Sequence, residues 1–290
     1  MQDEALLNAL RFRPMQRDEL DLAVSWATAE GWNPGKDDAD IFWDTDPDGY
    51  IVACLDDEVV GTGSIVAYGQ EFGFMGFFII RSDLRGKGIG TRLWYHRRDA
   101  LAARLKPGAP IGMDGVFTMQ DWYAKGGFQF IHRSLRMEGI GRPSQPASFL
   151  TELSAAPFDA IAAYDHAHFG FPRERFLRQW ITPKTGLALG AVKDGKIVGY
   201  GVIRSCQIGY KIGPLFADDA EIAAALLDAL ADRAAGEPIF WDIPEVNEAT
   251  FKLAADRDMK EVFGCARMYY GSTPDLPWSQ IFGITTFELG

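Results

Sequence analysis

The residues best able to do chemistry by type and spacing stand in one short stretch, Arg85-Gly86-Lys87-Gly88-Ile89-Gly90. Three glycines in five positions let a backbone turn tightly and bring its N–H groups close to a ligand. The residues after it, Thr91 to about Leu105, read as a long helix. The first turn of such a helix adds unpaired N–H donors and the positive end of its macrodipole. With Arg85 and Lys87 supplying charge, the stretch reads as an anion cradle suited to a pyrophosphate, and a tight structural turn is the plainer alternative. Two other phosphate loops do not fit. A dinucleotide fingerprint needs a third glycine where Thr91 stands and a repeating βαβ plan, and a Walker loop needs a Gly-Lys-Ser/Thr that this chain lacks.

A cradle of this kind needs a strand before it and a helix after it. Phe72 to Ile80 is almost wholly apolar and reads as a central strand buried on both faces. Upstream lie a short strand at Phe12 to Met15 and a helix running to Ala29, broken by Gly31-Trp32-Asn33-Pro34-Gly35. An amphipathic stretch from Asp37 to Trp43 and a hairpin of Tyr50–Leu55 with Val59–Val66 follow. Downstream come a strand (Ile111–Thr118), a short helix (Gln120–Lys125) and a last strand (Phe128–Glu138). Gly139 to Ser148 holds two Gly, two Pro and two Ser and reads as a linker. The second half repeats the theme: helices at Phe158–His168 and Arg175–Trp180, a hairpin about Asp194-Gly195, and a strand at Gln207–Pro214. A helix at Asp219–Ala234, a strand at Pro238–Ile243, a helix at Asn247–Arg257 and a strand at Glu261–Tyr270 complete it. The fold class expected is α+β, two copies of one plan: residues 1–140, a linker at 141–148, and residues 149–290.

Composition narrows the function. Of 290 residues, 47% are hydrophobic and 24% charged, which excludes disorder as a description of the whole chain. A net charge of −11 repels phosphate backbones and anionic lipid, so neither nucleic acid nor a membrane is expected as a partner. Cys54, Cys206 and Cys265 are widely separated, without a CxxC or a neighbouring His, and no metal site is expected. Met1 to Phe12 lacks the basic and long apolar regions of a signal peptide, and no run approaches a membrane span. The expectation is a cytoplasmic protein, monomer or homodimer.

Ile80-Arg81-Ser82-Asp83-Leu84-Arg85-Gly86-Lys87-Gly88-Ile89-Gly90 resembles motif A of the GNAT acyltransferases, Arg/Gln-x-x-Gly-x-Gly/Ala, with Arg85, Gly88 and Gly90 in pattern. Tyr123-Ala124-Lys125-Gly126-Gly127-Phe128 is similar to the family's Tyr-x-x-x-Gly-Phe, at the matching order and gap. Ser82 replaces the usual Pro, and Val116 a frequent Asn. The resemblance covers roughly residues 10–138. It implies two tandem GNAT folds, each a mostly antiparallel twisted sheet flanked by helices, and acetyl-CoA or another acyl-CoA as co-substrate. Phe78, Ile79 and Ile80 would pair with its pantetheine arm, and Arg85, Gly86, Lys87, Gly88, Ile89, Gly90 and Thr91 would hold its pyrophosphate. A backbone N–H would polarise the thioester, and Tyr123 would protonate the departing thiolate. The general base is left between Glu71 and Asp114, for attack by an amine of a small molecule. An acyl-CoA sensor without catalysis, and a protein amine as acceptor, are the alternatives.

The downstream copy has lost these residues. The family's closing pattern laid on Asn247 gives Thr250, Leu253, Ala254, Asp258 and Met259, so Tyr has become Ala254 and Gly-Phe has become Asp-Met. Lys211 to Asp219 stands at motif A without its glycines or Arg. This half resembles the YitH-type C-terminal GNAT domain in Phe169-Gly170-x-x-Arg173, Gly213-Pro214, Asn247 and Arg267-Met268, and Trp32-Asn33-Pro34-Gly35 resembles the halves that accompany it. Such a domain would wall the acceptor side. Trp241 and Asp242, with Trp32, Asn33 and Trp43 opposite, would form an aromatic amine pocket or else pack the core. His166 and His168 make a poor metal pair, and Arg97-Arg98 reads as a solvated helix face.

Overall fold

The computed structural model describes residues 2–290, with the backbone alone for residues 2 and 3; Met1, where the N-terminal reading begins, lies outside the described residues. The first half runs α1 (Gln2–Ala9), β1 (Arg11–Pro14), α2 (Arg17–Ala29), α3 (Asp38–Thr45), β2 (Tyr50–Leu55), β3 (Glu58–Ser64), β4 (Val66–Tyr68), β5 (Phe72–Met75), β6 (Ile79–Ile80), α4 (Ile89–Arg104), β7 (Ile111–Val116), α5 (Gln120–Lys125) and β8 (Gln129–Ile140). The second runs β9 (Leu150–Glu152), α6 (Phe158–Phe169), α7 (Glu174–Trp180), β10 (Gly186–Lys193), β11 (Lys196–Ser205), β12 (Tyr210–Ala217), α8 (Ala220–Asp232), β13 (Pro238–Pro244), α9 (Glu248–Ala255), β14 (Lys260–Tyr270) and β15 (Ile281–Gly283).

The mixed α+β class is as expected. The strands divide between a small sheet, β1-β2-β3-β6, and a large one, β4-β5-β7-β14-β8-β13-β12-β11-β10-β9, with β15 added to β12. The large sheet crosses both halves by exchanging their closing strands. β14 lies between β7 and β8, and β8 lies between β14 and β13. Both exchanged registers carry a buried Arg–Asp fork between directly opposed residues. Arg267 faces Asp114 across β14 and β7, and Arg136 faces Asp242 across β8 and β13. A slip by one residue would leave these charges buried and unpaired, so each fork specifies its register.

The run Phe72–Ile80, expected as one strand, is two. β5 belongs to the large sheet. The chain then breaks at Gly76 to Phe78, with Phe77 in the left-handed region (φ 48°), and β6 joins the small sheet. Strands that part in this way leave a wedge between them. In the second half the corresponding wedge is closed. β12 pairs with β13 through Tyr210–Ile212 only, and β15 then pairs with β12 at Leu215 and Phe216 while Ile284 donates its N–H to Asp242 O at 3.0 Å. Residues 281–290 are buried throughout, ending against the first half where Tyr68 Oη donates to Leu289 O at 2.9 Å.

One apolar cluster joins the halves through Phe42, Phe77, Phe176 and Trp180, with the Phe42 and Trp180 rings stacked 6.1 Å apart. A second surrounds α8, which begins where Asp219 accepts the Ile222 N–H at 2.8 Å. A third lies beneath α4 and carries the site.

Candidate active site

The residues from Arg85 onward form the loop that ends at α4. Gly86 and Gly88 both have positive φ, 78° and 85°, which only glycine adopts without strain, and Gly88 caps the helix in that conformation. Among the described residues no carbonyl or side chain takes the N–H groups of residues 86–91, so six consecutive donors remain available. Beside them opens a cleft of about 540 Å³, bordered by Phe78, Ile79 and Ile80 on one side and by Trp122 and Tyr123 on the other. Arg85 donates from Nε to Ile80 O at 2.9 Å and pairs at the cleft mouth with Glu30. Gly86, Gly88, Gly90 and Thr91 line this cleft, whereas Ile89 turns its side chain into the core and Lys87 is not among the lining residues.

A second, narrower cavity of about 70 Å³ adjoins the first and shares Trp32, Phe78, Val116 and Tyr123 with it. Phe78 and Phe77 follow the break in the strand, and neither N–H has a partner among the described residues. Tyr123 is buried, stands against Trp94 and Trp122, and fits because Gly115 has no β-carbon to meet its ring. Burial pushes its phenol up to about 12, against a small opposing effect of Arg97, so it stays protonated at neutral pH. Arg97 is not on a solvated face: it is 1% exposed, and its Nη2 donates to Ser64 O and Gly76 O at 2.6 and 2.7 Å. Gly63 makes room for its guanidinium, and burial without a carboxylate lowers its pKa to about 9. Position 97 reads as polar in sequence, and only the absence of a β-carbon at Gly63 hints at its burial.

The structure separates the remaining candidates. Glu71 lies outside both cavities, exposed in the turn before β5 and paired with Lys106. Asp114 does line the inner cavity, but both its oxygens accept from Arg267, at 2.9 and 2.7 Å. Trp32 lines both cavities. Asn33 instead clasps the two halves, its side chain exchanging two hydrogen bonds of 2.9 Å with the backbone of Ile208. Trp43 stacks on Tyr50 within the first core cluster, away from the cavities. Trp241 is wholly buried in the second, with Gly283 packed on its indole, and Asp242 is held by Arg136. The expected aromatic pocket therefore keeps Trp32 alone. Its other walls are residues that sequence reasoning passed over: Phe263, Cys265, Phe287 and Glu288 from the second half. The last two belong to a tail without periodicity or motif.

Among the described residues no group of three or more His, Cys, Asp or Glu is placed to hold a metal, and no helix is long and apolar enough to cross a membrane.

Two family models match. Residues 15–109 match the acetyltransferase (GNAT) family and residues 161–283 an acetyltransferase (GNAT) domain. The chain is 29% identical over 282 residues to the holothin acyltransferase of Pseudoalteromonas sp. (strain SANK 73390), covering 96% of this chain and 94% of that one. It is 32% identical over 95 residues to YitH of Bacillus subtilis (strain 168), an uncharacterized N-acetyltransferase, covering 33% of each. A solved protein of Pyrococcus horikoshii superposes with a TM-score of 0.83 at 25% identity over 97% of this chain and 96% of that one. A tandem GNAT protein from the clavulanic acid biosynthesis pathway shares the fold, with a TM-score of 0.62 at 15% identity over 92% and 99%. With matches in both halves, an acyltransferase relative along nearly its whole length, and a cleft at its motif A loop, the chain belongs to the GNAT family of acyltransferases.

Proposed function

We propose that the first half binds an acyl-CoA and transfers a short acyl group, acetyl foremost, to the amine of a small molecule by direct attack. The observation that carries this is the run of six unpaired N–H groups at residues 86–91, which suits a diphosphate. The pantetheine arm would follow β6 along the cleft, where the wedge leaves strand edges free. The thioester carbonyl would meet the Phe78 N–H, a donor fixed before reaction and therefore effective on a developing oxyanion. Tyr123, neutral and lining both cavities, would give its proton to the departing thiolate. A cavity of about 70 Å³ is under half the roughly 150 Å³ that accepts benzene, which favours an acetyl-sized group over a long chain. A small acceptor agrees with the name of the holothin acyltransferase.

The second half contributes walls rather than a second acyl-CoA site. β15 occupies the wedge that the cofactor would need, Asp219 caps α8, and Asp218 accepts from Tyr164 Oη at 2.8 Å.

Thermal unfolding with acetyl-CoA tests this reading. At about 100 times Kd, linkage adds ~2.7 kcal/mol, roughly 5–10 °C at this size. Gly88→Asp should abolish the shift, because it sets a charged side chain at φ 85° in the cradle. A variant that keeps the full shift refutes the placement. Binding by the wild type with no CoA released to any amine would make the protein a sensor instead.

A further inference from the structure

The inner cavity has an acidic wall that the mechanism above leaves unused. It comes from the end of the chain. Beyond β15 the tail runs to the break in the first half's strand, where Thr286 Oγ1 accepts the N–H groups of Glu288 and Leu289 at 3.1 and 2.9 Å. This turn fixes Glu288 at the cavity, beside Phe287.

Glu288 is 3% exposed, and among the described residues its carboxylate has neither a hydrogen-bond donor nor an ion-pair partner. Its neighbours do not relieve it directly. Three buried arginines nearby are each engaged with an aspartate: Arg136 with Asp242, Arg204 with Asp38 and Arg267 with Asp114. Two buried cations have no carboxylate within ion-pair distance: Arg97, which lines the same cavity and keeps Nε and Nη1 without a partner among the described residues, and Lys211. The Lys211 Nζ donates to Trp32 O at 3.3 Å, and burial lowers its pKa while Glu288 acts in the opposite sense. Neither cation forms an ion pair with Glu288, which lines the cavity. What its carboxylate lacks is a hydrogen-bond donor, and an ammonium entering the cavity would bring one.

We propose that Glu288 receives the ammonium group of the acceptor and takes a proton from it, which makes the substrate class protonated primary amines on a small apolar body. The inference rests on the acyl-CoA reading above. Trp32, Phe263 and Phe287 would pack that body. The ammonium gives one proton to Glu288, and the freed lone pair forms the C–N bond at the thioester carbon. Collapse of the oxyanion breaks the C–S bond. The thiolate takes a proton from Tyr123, which regains one from the new amide nitrogen, and Glu288 returns its proton to solvent. The sum is amide, free CoA thiol and one proton.

The test follows thiol release from acetyl-CoA in the wild type, Glu288→Gln and Glu288→Asp, with ethylamine as acceptor and with water alone. Water needs the same base, so the assay does not depend on the natural acceptor. Acetyl-CoA Kd is measured alongside. Glu288→Gln should lower amine turnover about 10²-fold and hydrolysis about tenfold. Its acetyl-CoA Kd should stay within about twofold of the wild type, and Glu288→Asp should recover part of the rate. Turnover by Glu288→Gln within about threefold of the wild type overturns the assignment. So does a wild type that binds acetyl-CoA but turns over neither acceptor. A wild type that does not bind acetyl-CoA defeats the acyl-CoA reading itself.

Discussion

Gly76 stands against the carbonyl oxygen of Glu288 with no room for a β-carbon between them. Gly76 cannot retreat, because its N–H donates to Ser64 Oγ at 2.8 Å and its carbonyl accepts from Arg97. Gly76→Ala must therefore displace the tail. Overpacking of this kind costs about 1–3 kcal/mol. The expected outcome is a melting temperature lower by a few degrees and slower acyl transfer with acetyl-CoA affinity intact. Unchanged melting and turnover would mean that the tail does not seat there.

Tyr123→Phe removes the proton donor and keeps the ring that fills the space beside Gly115. Since a thiol of ordinary pKa, about 8.5, is a tolerable leaving group, the expected loss is about 10²-fold in kcat rather than all activity. Binding measured by calorimetry should be unaffected. A weaker acetyl-CoA affinity with unchanged kcat would assign Tyr123 to binding.

Glu30 puts a carboxylate at the cleft mouth and holds Arg85. A diphosphate must compete with it. Glu30→Gln should tighten acetyl-CoA binding by roughly two- to fivefold, the scale of a single partly exposed charge, and the gain should shrink as salt is raised. Weaker binding by the variant would show that Glu30 orients Arg85 rather than opposing the ligand.

His132 sits under Trp278, ring centroids 4.4 Å apart, with neither nitrogen partnered among the described residues. Burial, with Arg267 adding repulsion, lowers its pKa to about 3. The unfolded chain then takes up the proton first as pH falls. This group alone should therefore reduce stability by about 1.4 kcal/mol per pH unit between roughly 6.5 and 3, and no further below that. His132→Leu should lose that slope, read by urea unfolding at pH 7, 6, 5 and 4. Parallel curves for the two proteins would refute it.

The motif A loop was legible because glycines at positive φ and an adjoining helix start are local properties of six residues. Tyr123 was legible for the same reason. The surroundings of the candidate bases were not. Glu71 and Asp114 are carboxylates of ordinary appearance, and their pairing with Lys106 and Arg267, the second lying 153 positions away, is decided by the fold. Trp241 resembled a pocket residue by type, yet Gly283, far along the chain, packs it into the core. The strand Phe72–Ile80 looked continuous because its apolar run carries no mark of the turn at Phe77. The strand exchange was hidden as well, since pairing of β14 with β7 is decided by opposed Arg267 and Asp114 rather than by either strand's pattern.

Because β14 is threaded between β7 and β8, a gene cut at the Gly/Pro segment near residue 145 would yield two polypeptides that each carry a strand whose neighbours belong to the other. Neither fragment could close its own sheet, and each would offer a bare edge to aggregation. Mixed together, the same fragments have complementary gaps. Heredity is thereby constrained: the downstream half cannot be discarded, because its removal would leave the upstream sheet unclosed.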